Sequence, residues 1–246
     1  MIEAIHQSNL NMALRCGEQL RRRYIEGEII PPGIAAGRGT GLHGANEVNM
    51  KQKVKTKEDL PLSDLKDAAR DAFIGAFRNG IYLAKENRPA KEQILNDGLN
   101  ATLRLTGLYH EEVAPEIEPI EVERPFYIEI PGVPLPLAGR MDIQRVAKVD
   151  DLKGAGKSWA EGQINQEIQP IFYCLAHEYE TKVRPEFIYH ILVDLKRGPK
   201  RQVQKLTPTD NHYHALIKKM QMFCRSLEAG IFLPANPSSW WCSERW

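Results

Sequence analysis

The chain has 246 residues, 42% hydrophobic and 26% charged, a balance that supports a buried core and excludes an intrinsically disordered or low-complexity protein. Its net charge of +1 excludes a surface that is basic throughout, so any contact with nucleic-acid phosphates has to be local. No apolar run approaches the roughly 20 residues that span a bilayer, and the first residues, MIEAIHQSNLNMALRCGEQL, have neither the apolar centre nor the cleavage-like end of a signal peptide, so a cytoplasmic protein is expected.

In chain order, residues 4–26 read as one helix with an Arg-rich end, Arg21-Arg22-Arg23, stopped by Pro31-Pro32-Gly33. The Gly-rich stretch Gly37–Gly41 reads as a lead-in to a second helix from Leu42, with Thr40 as its cap. Residues 62–86 and 91–110 give two more helices, parted at Arg88-Pro89. The period then changes. Ile117–Ile130 alternates apolar and polar residues as a half-buried strand does, Pro131-Gly132 turns the chain, and Leu137–Val146 and Lys148–Leu152 are two further strands. Gly154-Ala155-Gly156 reads as a loop and 161–181 as a helix, with His177 and Glu178 on its solvent side. Phe187–Leu195 is nearly continuous in apolar residues, as a central strand is. Gln202–Leu206 reads as an edge strand, Pro208–Ala229 as a final helix, and the tail from Phe232 to Trp246 shows no period. The expected fold is α/β in one domain over 1–246: a mainly helical part (1–115), a catalytic core (116–230) and a tail (231–246).

The residues with chemistry lie in Gly139-Arg140-Met141-Asp142-Ile143 and Val149-Asp150-Asp151-Leu152-Lys153. Asp142 sits within one strand; Asp151 and Lys153, two apart on the next, share a face. Paired carboxylates suit a hard cation such as Mg2+, which takes oxygen ligands. Such an ion polarises a phosphodiester, and a neighbouring lysine can offset charge in the transition state. The bland alternative for each residue taken singly is a solvated hairpin.

Taken together, GRMDIQ, VDDLKGAGKSW and the segment Gln169 to Tyr173 resemble the RecB-like, Cas4-like exonuclease branch of the PD-(D/E)xK nucleases, over about residues 10 to 246. The resemblance implies a restriction-endonuclease-like core: a mixed central sheet flanked by helices. It assigns Asp142 as the first acid, Asp151 and Lys153 as the D-x-K pair, and Gln169 and Tyr173, one helical turn apart, as supports of the site and of DNA contact. His43, in Gly39-Thr40-Gly41-Leu42-His43, matches the upstream histidine of the family, so the resemblance gives the metal set as His43, Asp142, Asp151 and the Leu152 backbone carbonyl. Glu47, one turn beyond His43, is a candidate partner of that histidine, and Glu123 matches a recurrent family acid, with an exposed strand residue as its equal alternative.

Several members of this branch carry a [4Fe–4S] cluster on one early and three late cysteines. Cys16 matches the early one and Cys242 the first late one; two late ligands are absent, so a four-thiolate cluster would require a longer chain. Cys174 and Cys224 fall on apolar helix faces, where a thiol acts as a small hydrophobe. Gly154-Ala155-Gly156-Lys157-Ser158 lacks the first glycine of a phosphate-binding loop, Asp151 standing in its place. The basic cluster Lys196, Arg197, Lys200 and Arg201 reads first as solvated surface.

The expected function is Mg2+- or Mn2+-dependent hydrolysis of DNA, exonuclease before endonuclease, in recombination, repair or phage replication. Its rivals are a silent nuclease fold that binds DNA or protein within a recombination complex, and a subunit that cuts only with a recombination partner.

Overall fold

The computed structural model describes residues 2–239. Five strands, β1 (Glu121–Ile128), β2 (Leu137–Arg145), β3 (Lys148–Ala155), β4 (Glu186–Leu195) and β5 (Gly198–Leu206), form one sheet in the order β1-β2-β3-β4-β5. Neighbours are antiparallel except β3 and β4, which are parallel and therefore need the crossover that helix α6 (Ile168–Thr181) supplies. The apolar run of β4 is buried along nearly its whole length, and β5 alternates as an edge strand should.

Two helical layers cover the sheet. On one side α1 (Gln7–Arg15), α6 and α7 (Asp210–Ala229) pack a core that includes Leu10, Phe126, Phe172, Phe187 and Met220. On the other, α3 (Ile34–Thr56), α4 (Leu62–Ala76) and α5 (Lys91–Leu108) close over Leu42, Leu65, Leu105, Ile143, Leu152 and Leu192. This is the expected α/β core with a helical N-terminal addition.

The first helix does not run unbroken over 4–26. It stops at Cys16, whose backbone is extended (φ −164°), and resumes as the short α2 (Gly17–Leu20) and a π turn over Arg21–Ile25. A distant segment causes the break: the Gly17 N–H donates to the Leu233 carbonyl (2.6 Å) and the Ala235 N–H to Cys16 Sγ (3.3 Å). Ahead of α1, Ile5 exchanges backbone hydrogen bonds with Pro136 and Ala138 beside β2.

The Gly-rich stretch is helix, not lead-in. α3 starts at Ile34 and carries Gly37 and Gly41 one turn apart on the face that meets α4. A Cβ on Gly37 would lie 2.1 Å from the Phe77 ring, and one on Gly41 would lie 2.9 Å from the Ala69 carbonyl and 2.7 Å from Thr102. Close packing thus overrides the low helix propensity of glycine. Thr40 does not cap the helix; its hydroxyl donates to the Ala36 carbonyl. Gly41→Ala should cost about 1–3 kcal/mol by overpacking, and a thermal melt checks it; because the neighbour is backbone, α3 and the residues it carries have to shift.

β3 runs through Gly154 and Ala155, so the loop begins only at Gly156. α6 starts at Ile168 rather than 161, after a 3-10 turn over Gln163–Gln166. Two glutamines of β5 hold the intervening loop in an irregular path: Gln202 pairs with the backbone of Trp159, and Gln204 with Ile164 and Ala160. Their side chains replace the internal hydrogen bonds that helix would have supplied. His177 is buried rather than solvent-facing, with Nδ1 near the Val183 carbonyl and the Thr181 hydroxyl. Cys174 and Cys224 are buried free thiols on α6 and α7.

Candidate active site

The site forms where the sheet splits. β2 and β3 pair only over Ile143↔Asp150, Gln144↔Val149 and Arg145↔Lys148. In that register the next rung would set Asp142 opposite Asp151, but there the strands part. On the other edge of β2 the register sets Glu123 opposite Asp142, and Glu123 is left out of the ladder with a left-handed backbone (φ +53°) that a non-glycine residue rarely adopts. The ribbon rolls over at this rung. Met141 packs in the α6 layer and Ile143 in the α3 layer, although residues two apart on a regular strand share a face; Phe126 and Val122 divide the same way on β1. The carboxylates are thereby offered at an opening that both helical layers reach.

From the α3 layer comes His43, with Nδ1 3.1 Å from Asp142 Oδ2. From β3 comes Lys153, with Nζ 2.7 Å from Asp151 Oδ2. From α6 comes Gln169, whose Oε1 accepts from Lys153 Nζ (2.9 Å) and whose Nε2 donates to Asp151 Oδ1 (3.2 Å). Tyr189 of β4, opposite Asp151 in the parallel register, donates its hydroxyl to the same Gln169 oxygen (3.2 Å), and its ring lies 5.2 Å below Lys153 Nζ. Trp159 packs edge-on against Tyr189. Tyr173, one turn beyond Gln169, stands among Phe126, Phe172 and Phe187.

Burial sets the electrostatics. It would raise Asp142, but the close approach of His43, 3.1 Å away, and the charges of His43 and Lys153 outweigh it and hold this carboxyl well below the usual range. Burial pushes Asp151 up, against Lys153 and with the help of Asp142. Burial would lower His43, yet Asp142 and Asp151 carry it above an ordinary histidine. Burial also raises Tyr173, reinforced by Asp142 and Asp151, so this phenol keeps its proton. Glu123 is raised by burial and by the nearby Asp142 and Glu47; Arg140, 3.5 Å away, opposes this.

His43, Asp142 and Asp151 offer ligand atoms that all lie within 4.8 Å of one another. The Oδ2 atoms of both aspartates are buried and accept no well-directed hydrogen bond, although His43 and Lys153 stand close by. Buried oxygens left unsatisfied are costly, and a divalent cation removes that cost for both; the donor set therefore fits a metal. Leu152 sends its side chain into the α3 layer, so only its backbone carbonyl can serve the site. Glu47 pairs with Lys51 instead of His43.

Sequence reading missed Tyr189, because its place opposite Asp151 depends on strand register. It also missed a brace behind the fork. The buried Asp150 accepts a bidentate pair from Arg145 (2.6 Å each) and contacts His190 Nε2 at 2.8 Å, tying β2, β3 and β4 together. Arg201, from the late basic cluster, joins that brace through His190 and Glu116, so it is not free surface. Cys16 is buried beside the segment at 233–235, and Cys242 lies outside the described residues.

No protein-family profile and no curated protein sequence matches this chain. A solved structure does. A crystal structure from Eubacterium rectale, of a protein whose designation as an exonuclease is itself provisional, superposes with a TM-score of 0.61, covering 98% of this chain and 87% of that one at 11% identity. The two share a fold, and the mixed sheet flanked by helices is the restriction-endonuclease-like core. The protein SSO0001 aligns at a TM-score of 0.43 and 14% identity over 96% of this chain and 80% of that one. No helix among the described residues is long and apolar enough to cross a membrane.

Proposed function

We propose that this chain is a Mg2+- or Mn2+-dependent deoxyribonuclease, more readily an exonuclease than an endonuclease. The observation that carries this reading is the pair of buried, unsatisfied aspartate oxygens facing one another across the fork, with His43 on one side and Lys153 on the other. The fold shared with a protein designated an exonuclease adds to it. The roles of Gln169 and Tyr173 and the setting in recombination, repair or phage replication rest on the motif resemblance.

His43, Asp142, Asp151 and the Leu152 carbonyl would hold the cation, which supplies Lewis-acid neutralisation of phosphodiester charge when bound. Lys153 Nζ, kept aimed by Gln169 Oε1 and Asp151, orients the attacking water and offsets charge as the P–O bond to the leaving oxygen breaks. Gln169 fixes Asp151 and Lys153 relative to each other and is itself fixed by Tyr189. Tyr173 remains a neutral donor facing the carboxylates.

The test is digestion of end-labelled linear and closed circular DNA, single- and double-stranded, with Mg2+, Mn2+ or EDTA. Loss of linear DNA alone, only with metal, is the expected result. Cleavage of closed circles would replace exonuclease by endonuclease. DNA bound but uncut under every condition would move the reading to a silent binding module.

A further inference from the structure

A second polar cluster lies beside the fork and takes no part in the chemistry above. Asp194, at the end of β4, receives two guanidinium groups: Arg104 of α5 donates Nε (3.2 Å) and Nη2 (3.0 and 3.1 Å) to its two oxygens, and Arg38 Nη2 of α3 stands 3.5 Å from Oδ2. One carboxylate thus faces two cations, leaving a net positive charge. Asp194 is largely buried, and Arg38 Nη2 is buried without a hydrogen-bond partner. Arg104, by contrast, is half exposed, at 52%.

Position gives the cluster its meaning. Arg38 lies one turn before Leu42, and Arg104 directly precedes Leu105; these two leucines flank Gly154, next to Lys153. In the β3–β4 register Lys153 is level with Ile191, so Asp194 stands three residues further on, roughly 10 Å along the strands. Arg38 precedes His43 by five residues on the same helix, about 7.5 Å of rise. The exposed Lys157, Lys196 and Arg197 lie at the same end of the sheet. Arg38 ties α3 and Arg104 ties α5 to β4, yet Arg38 Nη2 keeps no hydrogen-bond partner and half of the Arg104 side chain stays in solvent, so the tie does not use up the donors of either arginine.

We propose that Arg38 and Arg104, pre-oriented by Asp194, bind a backbone phosphate of DNA beside the one positioned at His43, Asp142 and Asp151. The planar guanidinium fork matches phosphate oxygens, and such a contact positions the strand without reading its sequence. The assignment rests on the nuclease reading and adds the subsite next to the scissile bond.

The test is fluorescence anisotropy of labelled single- and double-stranded DNA over a salt series in EDTA, where no cutting occurs. It uses the unmodified protein, Arg38→Gln, Arg104→Gln and, as an equal change of charge on α7, Arg225→Gln. Arg38→Gln and Arg104→Gln should each weaken binding several-fold and reduce the slope of log affinity against log salt by about one, with Arg225→Gln unchanged. Affinity and slope equal to those of the unmodified protein in both variants would overturn the subsite and leave the nuclease reading standing. If the unmodified protein itself fails to bind DNA in EDTA, the subsite falls, while the nuclease reading is decided by the metal-dependent digestion alone. Should Arg38→Gln not fold, the half-exposed Arg104→Gln decides.

Discussion

Lys153→Ala is expected to reduce metal-dependent DNA cleavage by about 10²–10³-fold while leaving a folded protein. The side chain is not a core element. It is partly exposed, and its contacts are Asp151, Gln169 and the Tyr189 ring, all within the site. In the proposed mechanism its removal would deprive the reacting phosphate of a fixed cation. The fold retains the Gln169–Asp151 hydrogen bond and the Gln169–Tyr189 bond. The loss of a charge next to Asp151 should lower stability by about 1–2 kcal/mol. Single-turnover cleavage with saturating metal, beside a thermal melt, separates the two effects. Cleavage within a few-fold of the unmodified protein would remove Lys153 from the chemistry.

Asp151→Asn should abolish cleavage and, in EDTA, raise the melting temperature. The two effects share one cause. Asp151 is almost wholly buried, faces Asp142 across the open rung and presents an oxygen with no well-directed donor. Without a cation the fold bears the cost of that charge; burial raises the carboxyl, and Lys153 compensates only in part. The neutral amide keeps the shape and removes the repulsion and the unsatisfied buried charge, so the metal-free variant gains stability, by about 1–2 kcal/mol. Lys153, partly exposed, stays solvated. With metal present the order should reverse, because only the unmodified protein gains binding free energy. A variant less stable than the unmodified protein in EDTA would mean that the carboxylate supports the fold rather than straining it.

Much of the candidate site's geometry was legible because its spacings are local. Asp151 and Lys153 are two apart on a strand and Gln169 and Tyr173 four apart on a helix, so strand and helix periods alone set which residues share a face. The α/β order followed from the change of period near Ile117. What stayed hidden depends on partners far away in sequence. The break at Cys16 is made by Leu233 and Ala235, more than two hundred residues on. The Gly37–Gly41 stretch reads as a lead-in to a helix and is itself helix, because Phe77, Ala69 and Thr102 pack too closely for a side chain. Tyr189, the Asp150 brace and the Arg38–Asp194–Arg104 cluster all depend on strand register and helix placement, which no local pattern encodes. The splitting of β2 from β3 belongs to the same class: alternation continues through Asp142 in the sequence, while the ribbon turns over there in the fold.

The central claim is that His43, Asp142 and Asp151 form a divalent-cation site, and calorimetric titration of Mn2+ into EDTA-stripped protein tests it most directly, with the double variant Asp142→Asn, Asp151→Asn as reference. The account predicts saturable binding by the unmodified protein and its loss in the double variant. Binding absent from the unmodified protein, or equal in both, would contradict it.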